Sequence, residues 1–584
     1  MKNKFLRVLL IFIVIAGTAH ALEDGVTVPL VADSRTPDGE QGILLFARVI
    51  ATNGTGHVFV DTSPYTQVDL QGSARLAAMV ASDVLGIDQR AYDFYYIIDI
   101  SSPIIGGPSA GGALTVASIA AVKNWTLKPD VVMTGMINPD ESIGPVGGIP
   151  YKLEAAAAEN YTLFLVPEGQ GMVTLTKLIT VKEVSTIQEA VKIFTGHEIT
   201  KPVFNGTVLT PGYIGLLEPL ATSLKKEASD MYEETAAQSP QSQYIKQAKD
   251  ILSRADKMYD SRKYYAATSL YFNSMINIRT ARWIYGFSNA ADKEQYVAQL
   301  IDRVEARINQ SESDLEVFKS GGVDDVGAVG AAESRITTSK LKLDEARKLN
   351  NTDEKINALA FSHERARTAQ WWLTLSTPSG KVVPENILKD RAGWYLSQAQ
   401  SISTYMQELL SQSAHPGIIS GPVEDLTHAQ KEMKRGYYSG AIFDSLQGSV
   451  KSSTIIGFMG MLDAQRRVEQ SAGDAKLAIN EARMAGIEPT LAVSAFEYAE
   501  TMPDTYEKIN QYAYAKMVAK TLVVLNSHAV PADKIPVKPT LIPYVPGTTL
   551  PEATPTPAAA EETPAVGAAA VLIIILLASR LKKN

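Results

Sequence analysis

"IIGGPSAGGALTVASIAAVKN", residues 104–124, sets one serine, Ser109, among glycines at the mouth of an apolar run. Three chemistries use such a stretch, and each needs different partners elsewhere in the chain. Gly107-Pro108-Ser109-Ala110-Gly111 has the spacing of a nucleophile elbow, which demands an acid and then a histidine downstream. Within the first 200 residues only His197 follows the serine. The strand pattern "FYYIIDIS" is also expected to end at Ser101 or Ser102, with Pro103 and two glycines still to come. A phosphate cradle would wrap the N–H groups of a helix start around an anion, and the small-molecule kinases that work this way carry a second serine missing here. The third chemistry needs a lysine whose amine is neutral at working pH and lies within reach of the hydroxyl. Burial supplies that, because it penalises the charged form. Lys152 in "PVGGIPYKLEAAAAEN" (145–160) stands just inside a helix start, whose positive end favours the neutral amine further. No carboxylate sits beside it in sequence, and Glu154, two positions on, points to another face.

The composition narrows the rest. The chain has 584 residues, 45% hydrophobic and 20% charged, a length that suggests two to four domains. There is no cysteine, which excludes disulfides, thiolate catalysis and Cys-ligated metal. The net charge of −8 offers no general attraction for nucleic acid. "MKNKFLR", "VLLIFIVIAGTA" and Ala19-His20-Ala21 follow one another as the basic, apolar and small-residue parts of a secretory signal. At the other end, "PEATPTPAAAEETP" reads as an extended stalk. After it, "AVGAAAVLIIILLASRLKKN" is a short apolar run closed by Arg580, Lys582 and Lys583, a C-terminal anchor with its basic tip in the cytoplasm. That end resembles the anchoring tails of archaeal surface proteins. Asn53, Asn124, Asn160, Asn205, Asn309 and Asn350 each open an Asn-x-Ser/Thr triplet, in weak agreement with export. The ectodomain is therefore expected outside the cytoplasm on a single-pass anchor.

Between these ends the texture changes once. Residues 24–200 alternate strand patterns ("GILLFARVIA", "GHVFVDTS", "FYYIIDIS", "DVVMTGMI", "TLFLVP") with helix patterns ("SARLAAMVASDVLGI", Ala110–Val122, "YKLEAAAAEN", "TIQEAVKIFTG"). From about 216 to 530 long helical patterns take over. "MYDSRKYYAATSLYFNSM" near 258–275 resembles "EMKRGYYSGAIFDSLQGSV" near 432–450, and "TDEKINALAFSHERARTAQWW" and "DTYEKINQYAYAKMVAKTL" share a looser form. Each joins a polar turn to a helix of small and aromatic residues, as helix hairpins do. The layout expected is a signal at 1–21, an α+β domain at 22–200, a linker at 201–215, an α-helical array or bundle at 216–530, a stalk at 531–564 and an anchor at 565–584.

Taken together, "GGPSAGGALTVAS…DVVMTGMINPDESIGPVGGIPYKLEAAAAENYTLFLVP" resembles the proteolytic domain of the Lon protease family. Thr134 follows Ser109 by 25 residues and Lys152 by 43, in the order and at the separations of that family. The resemblance covers about residues 25–200 and implies a Lon-type fold, similar to the second domain of ribosomal protein S5. It implies Ser109 as nucleophile, Lys152 as general base and Thr134 as the residue orienting the lysine amine. The N–H groups of Gly106, Gly107 and Ser109 would then form the oxyanion hole. No metal or organic cofactor is implied, and polypeptides are the implied substrates. A homo-oligomeric ring, or a partner protein held by the helical region, is open. Two positions depart from the family: Gly106 and Met136 stand where an acid is usual. The competing reading is thus a Lon-derived surface binding or scaffold protein without turnover. No Gly-x-x-x-x-Gly-Lys-Ser/Thr loop occurs in the 584 residues, so hydrolysis is expected to run without ATP on unfolded or flexible substrates.

Overall fold

The computed structural model describes residues 25–531, apart from 37–38, 106, 172–178, 320–321, 378–379, 412–419 and 460–462. The N-terminal signal, nearly all of the stalk, the C-terminal apolar run and Gly106 lie outside the described residues. Among the described residues no helix is long and apolar enough to cross a membrane.

The N-terminal region is a mixed sheet with helices on both faces. Its strands are β1 (Val26–Thr36), β2 (Gly39–Asn53), β3 (Val58–Thr66), β4 (Tyr92–Ile105), β5 (Val131–Met133), β8 (Leu163–Pro167) and β9 (Thr180–Val184). They lie in the order β3-β4-β2-β1-β5-β8-β9. The β1–β2 and β2–β4 pairs are antiparallel, while β1–β5, β5–β8, β8–β9 and β3–β4 are parallel. The short strands β6 (Met136–Ile137) and β7 (Ile143–Gly144) form a separate hairpin. Helices α1 (Val68–Leu85), α2 (Gly111–Lys123) and α4 (Ile187–Thr195) share one apolar core with the sheet, and α3 (Ile149–Ala158) shares another with Val31, Val132 and Phe164. Every residue of α2 from Gly111 to Ala120 is buried. Leu114, Val116 and Ile119 have no exposed surface, and each contributes about 1.5–3 kcal/mol by its removal from water.

Three features of the sheet differ from the sequence reading. The stretch "DVVMTGMI" is not one strand, because the chain breaks at Thr134-Gly135 to form a clamp. Gly135 N–H donates to the Ser109 carbonyl at 3.0 Å, and Gly112 N–H donates to the Gly135 carbonyl at 2.9 Å. Gly135 has φ +156°, and a Cβ there would lie 2.4 Å from Ile143 Cγ2. A side chain is excluded on both counts. Strand β4 runs on to Ile105, past the expected end at Ser101 or Ser102, because β3 pairs with it beyond a bulge between Ser63 and Tyr65. Strand β1 was not legible at all: "VTVPLVADSRT" is apolar on both faces near its middle, as suits a strand buried between two layers.

The helical region begins at Pro211, inside the stretch read as linker, because Thr210 caps a helix with proline at its first position. Twelve helices follow among the described residues: α5 (Pro211–Gln238), α6 (Gln243–Asp260), α7 (Tyr264–Asn289), α8 (Lys293–Lys319), α9 (Val326–Lys348), α10 (Thr352–Thr374), α11 (Glu385–Ser411), α12 (Ser420–Arg435), α13 (Tyr438–Phe458), α14 (Ala464–Met484), α15 (Thr490–Thr501) and α16 (Thr505–Ser527). The four related sequence pieces mark the second helices of the hairpins α6/α7, α9/α10, α12/α13 and α15/α16. The turns into α7 and α13 both use a left-handed residue, Arg262 at φ +58° and Gly436 at φ +77°. The aromatics of these pieces are core, as Tyr271, Phe443 and Tyr512 show.

This array packs directly on the sheet region, and α1 is the element it grips. Near the start of α1, Tyr405 of α11 lies against Gly72, where a Cβ would come 2.4 Å from the ring. Near its end, Lys516 and Lys520 of α16 pair with Asp83. Just beyond, Arg391 of α11 holds Asp88 at 2.7 Å. The turn between β6 and β7 is gripped too, with Arg467 of α14 bonded to Asp140 at 2.6 Å and to Ser142 at 2.9 Å.

Candidate active site

Ser109 and Lys152 come from helices on opposite faces of the sheet. They meet at the carboxyl ends of the parallel strands β1 and β5, where α/β folds gather their ligands. Ser109 sits in a short 3-10 turn, Pro108–Ala110, that leads into α2. The Gly135 clamp fixes this turn through the serine carbonyl, and Ser73 Oγ donates to the Pro108 carbonyl at 3.3 Å. Ser109 keeps part of its surface in solvent.

Lys152 belongs to the first turn of α3 and is 2% exposed. Its Nζ donates to Ser109 Oγ at 3.3 Å and to the Gly147 carbonyl at 2.9 Å, and lies 3.1 Å from Asp33 Oδ1. Gly148 makes this possible. It caps α3 at φ +68°, and a Cβ there would lie 2.7 Å from Asp33 Cγ. Burial lowers the Lys152 ammonium from its ordinary range, and the Asp33 carboxylate only partly restores it. Desolvation wins because Asp33 is half in water, its side chain 43% exposed against 3% for the lysine.

Asp33 escaped the sequence reading. It stands 119 residues before Lys152, on a strand that carried no alternating pattern, and only the packing of α3 on β1 and β2 brings it to the lysine. Thr134 is in place but not in the expected role. Its N–H donates to the Leu165 carbonyl, and its Oγ1 is buried without a partner among the described residues. Lys152 Nζ meets Gly147, Ser109 and Asp33 instead. Of the expected oxyanion donors, Gly106 lies outside the described residues. Gly107 N–H is already donated to Asp69 Oδ2 at 2.8 Å. Ser109 N–H has no intrahelical acceptor, because it lies in the first turn. Met136, at a position where an acid is usual in the family, is buried in β6. His197 stacks on Trp125 beyond the far end of α2, more than about 20 Å from Ser109 at 1.5 Å per residue. Among the described residues no histidine is bonded to the serine, so nothing there supports the elbow reading. Among the described residues no group of His, Cys, Asp and Glu could hold a metal ion.

Residues 50–194 match the Lon protease (S16) C-terminal proteolytic domain. This segment belongs to the Lon proteolytic family. Similar proteins include the Lon protease of Phenylobacterium zucineum, 31% identical over 23% of this chain and 17% of that protein. The archaeal Lon protease of Thermoplasma volcanium is 29% identical over 26% of this chain and 21% of that protein. Lon protease 2 of Syntrophobacter fumaroxidans is 25% identical over 27% of this chain and 21% of that protein. The chain thus spans about a fifth of the length of the curated relatives it matches. The sheet region is a Lon-type domain of a serine peptidase family, and the helical array lies outside the match.

Proposed function

We propose that the protein is a nucleotide-independent serine endopeptidase that uses Ser109 and Lys152 to cut unfolded or flexible polypeptides. The observation that carries this reading is the buried Lys152 Nζ, 3.3 Å from a half-buried Ser109 Oγ. The neutral amine takes the hydroxyl proton as Oγ bonds to the scissile carbonyl carbon. Asp33 stabilises the ammonium so formed. The oxyanion of the tetrahedral intermediate faces the N–H groups of the Ser109 turn. The C–N bond then breaks, the leaving amine takes the proton from Lys152, and an acyl-enzyme remains. Lys152 next deprotonates a water that attacks the ester, and Oγ leaves with the proton restored. The signal and anchor at the two ends of the sequence support an ectodomain tethered outside the membrane, with the helical array holding substrate or a partner protein.

The test is proteolysis of casein by the purified protein without nucleotide. Cleavage by the wild type and not by Ser109→Ala is the expected result, and equal cleavage by both overturns the reading. The Asp69 carboxylate on Gly107 N–H favours a second reading, a Lon-derived scaffold without turnover; an inactive wild type would select it.

The Asp33–Lys152 contact gives a pH prediction. The base is active when neutral, so the rate falls on the acid side as Lys152 gains its proton. Asp33→Asn removes the charge that raises the lysine, and the acid limb of the rate–pH profile is expected to move to lower pH. An unmoved limb would show that Asp33 does not set the base.

A further inference from the structure

We propose that Asp69 and Tyr405 form a latch through which the helical array sets the oxyanion turn. Both are positioning residues, and the proposal rests on the reading of Ser109 as nucleophile. Asp69, in the first turn of α1, is 3% exposed and accepts two backbone N–H groups, Leu70 at 2.7 Å and Gly107 at 2.8 Å. The second of these bonds matters for chemistry. An oxyanion forming at Ser109 needs the N–H groups of its own turn, and a carboxylate on Gly107 withdraws one of them and repels the charge that has to develop. The arrangement with Asp69 on Gly107 is therefore a resting one.

A buried hydroxyl in need of an acceptor comes in from the helical array one turn further along α1. The Tyr405 hydroxyl of α11 is buried and has no hydrogen-bond partner among the described residues, while its ring lies on Gly72 of α1. Asp69 precedes Gly72 by three residues on α1, which puts it on the same face of that helix as the Tyr405 contact. Burial pushes the Tyr405 phenol up, and the Asp69 charge adds to that. A buried O–H without an acceptor is destabilising, and Asp69 is the acceptor that would relieve it. The carboxylate thus has two alternative donors, one on the catalytic turn and one on the helical array. Turned toward Tyr405, it frees Gly107 N–H for the oxyanion.

The array has the grip to bias that choice. It holds α1 again at Asp83 and the following loop at Asp88, and it holds the β6–β7 turn through Arg467. The strand β6 starts beside Gly135, whose N–H clamps the Ser109 carbonyl. Both elements that touch the catalytic turn are therefore anchored in the helical array. A polypeptide or partner bound to the array changes activity by shifting these anchors, as any ligand does that binds one of two arrangements more tightly.

Two readouts test the latch. On an unfolded protein substrate, Asp69→Asn removes the charge at the oxyanion turn and is expected to raise kcat about tenfold with little change in KM. Tyr405→Phe removes the alternative donor and is expected to lower kcat. Opposite signs separate a latch from a structural role, which would lower both. The second readout is hydrogen exchange by mass spectrometry on the full chain carrying Ser109→Ala. The peptide containing Gly107 is expected to exchange several-fold faster with Asp69→Asn or Asp69→Ala and no faster with Tyr405→Phe. A fall in kcat with Asp69→Asn, or unchanged exchange at Gly107, overturns the proposal. Exchange needs no turnover, so the latch is decided even if every variant proves inactive and the peptidase reading fails.

Discussion

Lys152→Met is expected to lower peptide hydrolysis by about a thousandfold or more while leaving the protein folded. The side chain is the only base within reach of Ser109 among the described residues, and methionine keeps its length without an amine. Folding should survive because of what the lysine leaves behind. Its charged partner, Asp33, has a side chain 43% exposed and can turn to water. The Gly147 carbonyl loses one donor, and a buried ammonium that was unfavourable to desolvate is gone. Thermal unfolding of the variant should fall within a few degrees of the wild type. Casein cleavage surviving at more than about a tenth of the wild-type rate would remove Lys152 from the mechanism.

The same substitution at Lys516 is expected to have the opposite balance, leaving the Ser–Lys pair intact and costing about 3–5 kcal/mol of stability. Lys516 Nζ lies 2.6 Å from Asp83, 3.3 Å from Asp474 and 3.5 Å from Glu141, and Lys201 bonds Glu141 and Asp474 from another side. Glu141 is buried and the Asp83 and Asp474 side chains are only 18% and 16% exposed, so water replaces the lysine poorly. Burial alone would raise the Asp83 and Asp474 carboxyls, but Lys516 with its neighbours Lys520 and Lys201 overcomes it and holds both below the usual carboxylate range. A depressed carboxyl stabilises the fold above its unfolded pKa of about 4 and loses that contribution as pH falls toward the folded value. The wild type should therefore lose stability only in acid. Lys516→Met should unfold at lower urea at pH 7 and begin its acid loss at higher pH. A urea midpoint equal to the wild type would show that the ion network does not hold the helical array to α1.

What could be read from the sequence was whatever lies in order along it. Ser109, Thr134 and Lys152 fall at fixed separations, and α2 is an unbroken apolar run, so the core of the site was visible. The helix hairpins were visible as well, because each repeats a polar turn followed by small residues and tyrosines. The groups that tune the site were not visible. Asp33 reaches Lys152 only through the packing of α3 on β1 and β2, and β1 had no alternation to reveal it. Asp69 reaches Gly107 from the helix before, and Tyr405 arrives from nearly 300 residues further on. Thr134 was legible by its spacing, but its Oγ1 has no partner among the described residues. The break at Thr134-Gly135 was hidden for a related reason: the glycine's close approach to Ile143 and to the Ser109 carbonyl is a tertiary fact.

If Ser109 is the nucleophile and Lys152 its base, Ser109 becomes acylated during turnover. The most direct measurement is mass spectrometry of the protein after brief incubation with an activated peptide ester and acid quench. One added acyl group is expected on the peptide containing Ser109 in the wild type, absent in Ser109→Ala and strongly reduced in Lys152→Met. Cleavage of casein by a wild type that carries no acyl group on Ser109, or acylation unaffected by Lys152→Met, would contradict it.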